Sequence, residues 1–172
     1  MNITLIGMSG VGKSRIGEGL AKKLNYKFVD TDRIIEKETG LKLQKIINSL
    51  GDKKFLEIEE KTILNLKGIN KTIISPGGSI VYSKKAMKFL SKISVIIYLK
   101  SDLKEIIKKI KDLDKRGIVG LKNKGFKNLF NERRPIYERY GEIKISIRKD
   151  QEVKEIVNKI ISLIGKGKYQ IL

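Results

Sequence analysis

The chain predicts a parallel α/β sheet covered by helices on both faces, and three observations predict it. Apolar strand-like runs alternate with helically spaced runs along the whole 172 residues. The first strand is followed at once by Gly7-Met8-Ser9-Gly10-Val11-Gly12-Lys13-Ser14, a complete G-x-x-x-x-G-K-S phosphate-binding loop that opens a helix. The length suits one domain with a substantial core, and no repeat or linker divides it.

Taken in order, Asn2 to Ile6 reads as strand one and Lys13 to Leu24 as helix one, with Ile16, Leu20 and Leu24 on one face. A short strand, Lys27 to Val29, leads into Asp30-Thr31-Asp32 and a helix to Thr39. Leu43, Ile46, Ile47 and Leu50 recur at helical spacing, Gly51-Asp52 punctuates, and a longer helix runs from Lys53 to Leu66. Thr72 to Ser75 reads as a buried strand ending in Pro76-Gly77-Gly78, followed by a helix over Lys84 to Leu90. Val95 to Leu99 is the most strand-like run, and Asp102 is placed to cap a helix carrying Ile106, Ile107 and Ile110. Asp114 to Gly125 holds three glycines, several lysines and no period, and reads as a loop. Phe126 to Tyr140 is helical with Pro135 inside it, and Ile143, Ile145 and Ile147 alternate as in a strand. Val153 to Ile164 is an amphipathic closing helix, and Gly165 to Leu172 reads as a loose tail.

Composition narrows the chemistry. There is no His and no Cys, so imidazole bases, thiolate nucleophiles, disulfides and zinc thiolate sites are excluded. No apolar run reaches 18 residues, and the N-terminus reads as a strand without a leader pattern, so the expectation is a cytoplasmic protein with no membrane partner. The net charge of +19 comes mostly from lysine, 31 against 7 Arg, spread along the chain. Without interleaved aromatics or an arginine-rich arm, this reads as solvated surface, with no nucleic-acid partner expected. The charge would attract anionic substrates.

The loop carries the most specific chemistry. Its glycines let successive N–H groups turn toward phosphate oxygens, and the next helix presents its positive N-terminus to the same anion. Lys13 can reach the β- and γ-phosphates, and Ser14 can ligate the accompanying magnesium, so ATP and Mg2+ are the expected cofactors. In parallel sheets ligands sit beyond the carboxyl ends of the strands. That directs attention to Asp30 and Asp32 after strand two and to Gly77 and Gly78 after strand three. Asp30 and Asp32 read equally well as caps of the following helix.

The phosphate loop, Phe28-Val29-Asp30-Thr31-Asp32, the Gly77-Gly78 turn, the basic glycine-bearing loop and Glu132-Arg133-Arg134-Pro135-Ile136-Tyr137 occur in an order that resembles shikimate kinase over essentially the whole chain. The resemblance implies a P-loop NTPase fold of the nucleoside-monophosphate-kinase type. It would have a five-stranded parallel sheet, a substrate-binding helical region at about 31–66 and a mobile lid at about 114–125. It also implies transfer of the γ-phosphoryl of ATP to a hydroxyl of shikimate, giving shikimate 3-phosphate. By the same resemblance Asp30 would join Ser14 in holding magnesium, and Asp32 would accept from the acceptor hydroxyls and orient the attacking oxygen. Arg116 would close over the transferring phosphate, and Arg139 would grip the substrate carboxylate. Glu59, Gly77 and Gly78 would line the acceptor site. Arg133 falls at a further family position on the same helix as Arg139.

Three departures bear on the acceptor. Where the family places an arginine beside a phenylalanine, this chain has Phe55-Leu56, removing a charge-assisted bond worth about 1.5–3 kcal/mol. Its glycine turn is Ser75-Pro76-Gly77-Gly78-Ser79, and its lid reads Arg116-Gly117-Ile118-Val119. Lys53, Lys54 and Arg33 are the nearby candidates to replace the lost charge. The alternatives are a related kinase acting on another hydroxylated metabolite, or a nucleotide-binding module without turnover. A monomer is expected, since no exposed apolar seam stands out.

Overall fold

The computed structural model describes residues 1–110, 113 and 116–166. The expected tail over 167–172 and residues 114–115 of the expected lid lie outside the described residues.

Five strands, β1 (Asn2–Ile6), β2 (Lys27–Asp30), β3 (Thr72–Ser75), β4 (Ser94–Lys100) and β5 (Ile143–Ser146), form one all-parallel sheet in the order β2-β3-β1-β4-β5. The central strands are apolar almost throughout because both sheet faces are covered. Alternate residues therefore serve opposite cores. On β4, Ile96 and Tyr98 join a core with α4 (Lys84–Ile93) and α6 (Leu121–Tyr140), while Ile97 and Leu99 join one with α1 (Lys13–Leu24) and α7 (Val153–Lys166). A third cluster sits apart from the sheet. It gathers Ile35 of α2 (Thr31–Thr39), Leu43, Ile46, Ile47 and Phe55 of α3 (Leu43–Leu64), and Val119.

The sequence reading places the main elements correctly and errs at their ends. Gly51 breaks α3 at φ 79°, ψ 165°, the expected punctuation between two helical stretches. Leu50, just before the break, is 52% exposed although its spacing matches the apolar face. The expected loop over 114–125 is shortened by a helical turn beginning at Leu121, which Gly125 (φ 70°, ψ 159°) separates from the rest of α6. A 3-10 turn, Ile80–Tyr82, follows the glycine turn after β3. Asp102 holds the N-cap position of α5 (Leu103–Lys109), but its side chain makes no capping bond. Gly165 and Lys166 belong to α7 and not to a tail.

This topology puts the carboxyl ends of β1, β3 and β2 side by side. The loop after each opens onto one cleft.

Candidate active site

The cleft has a volume of about 350 Å³ and runs from the phosphate loop to the third hydrophobic cluster. Ser9, Gly12, Lys13 and Ser14 form one wall, Asp30 and Asp32 another, and Gly77 to Ser79 the floor. Glu59 and Phe55 of α3, Arg116 to Val119, and Arg133 of α6 complete it.

In the phosphate loop Gly10 and Gly12 hold φ of 88° and 102°, a region that side chains disfavour, so the backbone can wrap toward α1 with Gly12 as its N-cap. Lys13 folds back over the loop and donates from Nζ to Gly7 O at 2.8 Å and Met8 O at 3.3 Å. Burial lowers its pKa to about 8, against the opposing pull of Asp32 and Asp30. An incoming phosphate offers that ammonium an anionic partner in place of two carbonyls.

Asp30 caps α2 with one carboxylate oxygen and meets Ser14 with the other. Its Oδ1 accepts from Asp32 N at 3.1 Å and Arg33 N at 3.4 Å, capping α2. Its Oδ2 accepts from Ser14 Oγ at 2.6 Å. A hydroxyl and a carboxylate in contact beside the phosphate loop are hard oxygen donors, and they suit magnesium completed by nucleotide phosphates and water. Among the described residues no group of three or more acidic side chains is arranged to hold a metal alone. A magnesium carried in on nucleotide phosphates needs no such group.

Asp32 lies deeper. Its Oδ1 is shielded from solvent and has no hydrogen-bond partner among the described residues. Burial raises its carboxyl pKa to about 6, with Lys13 pulling the other way. A shielded carboxylate oxygen without a partner is set to accept from a ligand hydroxyl. Glu59, 2% exposed, accepts a short hydrogen bond from Ser79 Oγ. Burial first, and the Asp32 charge second, push its pKa to about 8, so it is mostly neutral at pH 7. The two acids flank Gly77: a Cβ there would overlap Glu59 Oε1 and stand 2.9 Å from Asp32 Oδ1. The hydroxyl of Tyr137 donates to Gly78 O, and its ring stacks on Tyr98 with centroids 5.3 Å apart, so α6 and β4 hold the floor in place.

The arginines require a correction. Arg139, expected to grip a substrate carboxylate, does not line the cleft. It is exposed, with its guanidinium 5.1 Å from the Tyr140 ring centroid. The α6 arginine that lines the cleft is Arg133, only 1% exposed. Its Nη2 donates to Val119 O at 2.7 Å and its Nε to Tyr82 Oη at 3.2 Å. Tyr82 in turn donates to Glu132 at 2.7 Å. Nε and Nη2 are thus engaged in positioning the guanidinium, which also lines the cleft. The signal was present in the sequence. Residues four apart share a helix face, so Arg133 must point inward with the buried Tyr137, while Arg139, two residues beyond Tyr137, turns away. Arg116 also lines the cleft, and Arg15 joins it from α1.

The candidates to replace the charge missing at Leu56 are also turned elsewhere. Arg33 pairs with Glu18 at 2.8 Å, Lys54 pairs with Glu57 at 2.7 Å, and neither these nor Lys53 lines the cleft. Leu56 packs beside the Phe55 cluster and lines a separate shallow crevice with Tyr82 and Glu132.

Comparison with known proteins points to one family. Residues 9–165 match the family described as shikimate kinase. A shikimate kinase from Persephonella marina is 33% identical over 95% of this chain and 98% of its own length. The structure of shikimate kinase from Aquifex aeolicus is similar, with a TM-score of 0.82 and 29% identity over 98% of this chain and 99% of that one. The structure of the Acinetobacter baumannii enzyme in complex with shikimate shows the same fold, with a TM-score of 0.89 and 24% identity over 97% of this chain and 94% of that one.

Proposed function

We propose that this chain, which belongs to the shikimate kinase family, performs the family's reaction through the cleft just described. It is an ATP-dependent small-molecule kinase that transfers phosphoryl from ATP to shikimate, with magnesium as the accompanying ion. The observation that carries the residue roles is the shielded Asp32 Oδ1, without a hydrogen-bond partner among the described residues, in the cleft that the phosphate loop and Arg133 also line.

The nucleotide phosphates seat on Gly7 to Ser14, and Lys13 exchanges its two carbonyl partners for phosphate oxygens. Ser14 and Asp30 would hold the magnesium, which neutralises phosphate charge when bound. The acceptor enters over Gly77 and Gly78. Asp32 accepts from its hydroxyl, orients the attacking oxygen toward the γ-phosphorus and takes up the proton as the new oxygen–phosphorus bond forms and the bond to the β–γ bridging oxygen breaks, leaving ADP. A loose transition state asks little more of a base. Arg133 grips the carboxylate from α6, in the place expected for Arg139. Arg116 places positive charge beside the transferring phosphoryl. Glu59, held by Ser79, presents a mostly neutral carboxyl at the floor, where a second full negative charge would repel the substrate carboxylate. Residues 31–66 act as the acceptor-binding region and the stretch around Arg116 as the lid of a single domain. The product is shikimate 3-phosphate.

We read the chain as a cytoplasmic monomer. No described helix is long and apolar enough to cross a membrane, and the exposed large apolar residues Leu41, Leu50, Ile107 and Leu163 are scattered over separate elements.

ADP release from ATP and magnesium, with and without saturating shikimate, tests the assignment. Turnover that depends strongly on shikimate is expected. ATP binding without shikimate-dependent turnover would overturn it and make the loss of the arginine at Leu56 the mark of a different acceptor.

A further inference from the structure

We infer that Gln44 is a positioning residue that ties the acceptor-binding helix to the segment carrying Arg116. Gln44 sits in the first turn of α3, far in sequence from the lid. Its side-chain Oε1 accepts from the backbone N–H of Gly117 at 2.9 Å, and its Nε2 donates to Asn48 Oδ1 at 2.9 Å. The amide is therefore oriented by its own helix, with its acceptor oxygen turned toward the neighbouring segment. Gly117 lies directly on that helix start. Its φ is +60°, and a Cβ there would stand 2.7 Å from Gln44 N and 2.9 Å from the Leu43 carbonyl carbon. Such an approach excludes a side chain.

Two further contacts fix the segment. Val119 is buried with Leu43 and Phe55, and its carbonyl accepts from Arg133 at 2.7 Å. Residues 116–119 are thus pinned by the acceptor helix at Gly117 and by the carboxylate-gripping arginine at Val119. Leu43 is itself set by Glu36, whose Oε1 accepts from Leu43 N at 3.2 Å. Arg116 is one peptide bond from the Gln44 contact, so the position of its guanidinium over the cleft depends on that contact. An acceptor seated against Phe55 and Arg133 presses on both pins. Gln44 therefore couples acceptor binding to placement of the positive charge that stabilises the transferring phosphoryl. This role rests on the assignment of Arg116 above.

The test compares Gln44→Met, which keeps length and helix propensity but cannot accept, with Gln44→Glu, whose carboxylate accepts from the same N–H. With saturating substrates, kcat of Gln44→Met should fall about three- to tenfold, with KM for ATP within about twofold of wild type and an unchanged melting temperature. Gln44→Glu should restore most of kcat. An arginine-specific protease should cut after Arg116 faster in Gln44→Met than in wild type or Gln44→Glu, with or without ligands. Wild-type kcat and cleavage in Gln44→Met, or equal losses in both variants, would overturn the inference. If wild type itself shows no shikimate-dependent turnover, the acceptor assignment fails, and the cleavage rates still decide whether Gln44 holds the Arg116 segment.

Discussion

The two halves of the cleft are built in opposite ways. The nucleotide half is eight consecutive residues, Gly7 to Ser14, whose geometry follows from one strand–loop–helix unit. The acceptor half is assembled from α2, α3, the turn after β3, the Arg116 segment and α6, which lie far apart in the chain. In a local motif the glycines, Lys13 and Ser14 act on one anion together, and all of them stand intact here. A distributed site can exchange individual contacts, as Leu56 and Ser79 show, provided the side chains that remain still converge. The nucleotide half specifies a reaction type, and the acceptor half specifies what is phosphorylated.

Substitution in the nucleotide half should have the largest effect. Lys13→Ala removes the cleft cation that the phosphate-loop carbonyls hold, and turnover should fall by about a thousandfold or more while the fold is retained. Steady-state kinetics with a thermal melt checks this, and near-normal turnover would detach the loop from the chemistry.

The acceptor half is probed next by its two arginines. Arg133→Lys keeps the charge but loses the planar fork, and kcat/KM for shikimate should drop about 10- to 150-fold with ATP affinity little changed. Arg139→Ala should stay within about twofold of wild type, since an exposed side chain against Tyr140 reaches no ligand. The reverse ranking would restore Arg139 to the site.

The pH profile tests both halves together. Asp32 acts as the ionised carboxylate, and burial raises its pKa to about 6, so kcat/KM should climb as pH rises through 6. Lys13 acts as the ammonium, and burial lowers its pKa to about 8, so kcat/KM should decline above 8. A flat profile from pH 5 to pH 9 would remove both roles. The sharpest discrimination on the acceptor side carries the smallest effect. Leu56→Arg should lower KM for shikimate by no more than about threefold, because Glu132 and Tyr82 in the same crevice compete for the new guanidinium. A tenfold gain would show that position 56 reaches the ligand directly.

Sheet class, the phosphate loop and the order of elements were legible in the amino-acid pattern because each depends on neighbours in sequence. Burial on two faces demands continuous apolar strands, and a loop that wraps phosphate demands glycines at fixed spacing. Even Arg133 was within reach, since helical phase alone sets it beside Tyr137 and turns Arg139 away. Asp30 shows where pattern stops. Capping and metal binding were alternatives in the sequence, and the fold realises the cap with one oxygen while the other meets Ser14. The contact between Gln44 and Gly117, 73 residues apart, had no signature at all. Nor did the pairing of Glu59 with Ser79, or the solvent-shielded Oδ1 of Asp32. These depend on which side chains the packed layers bring within about 3 Å of one another and on how much water they exclude, quantities that exist only once distant segments have come together.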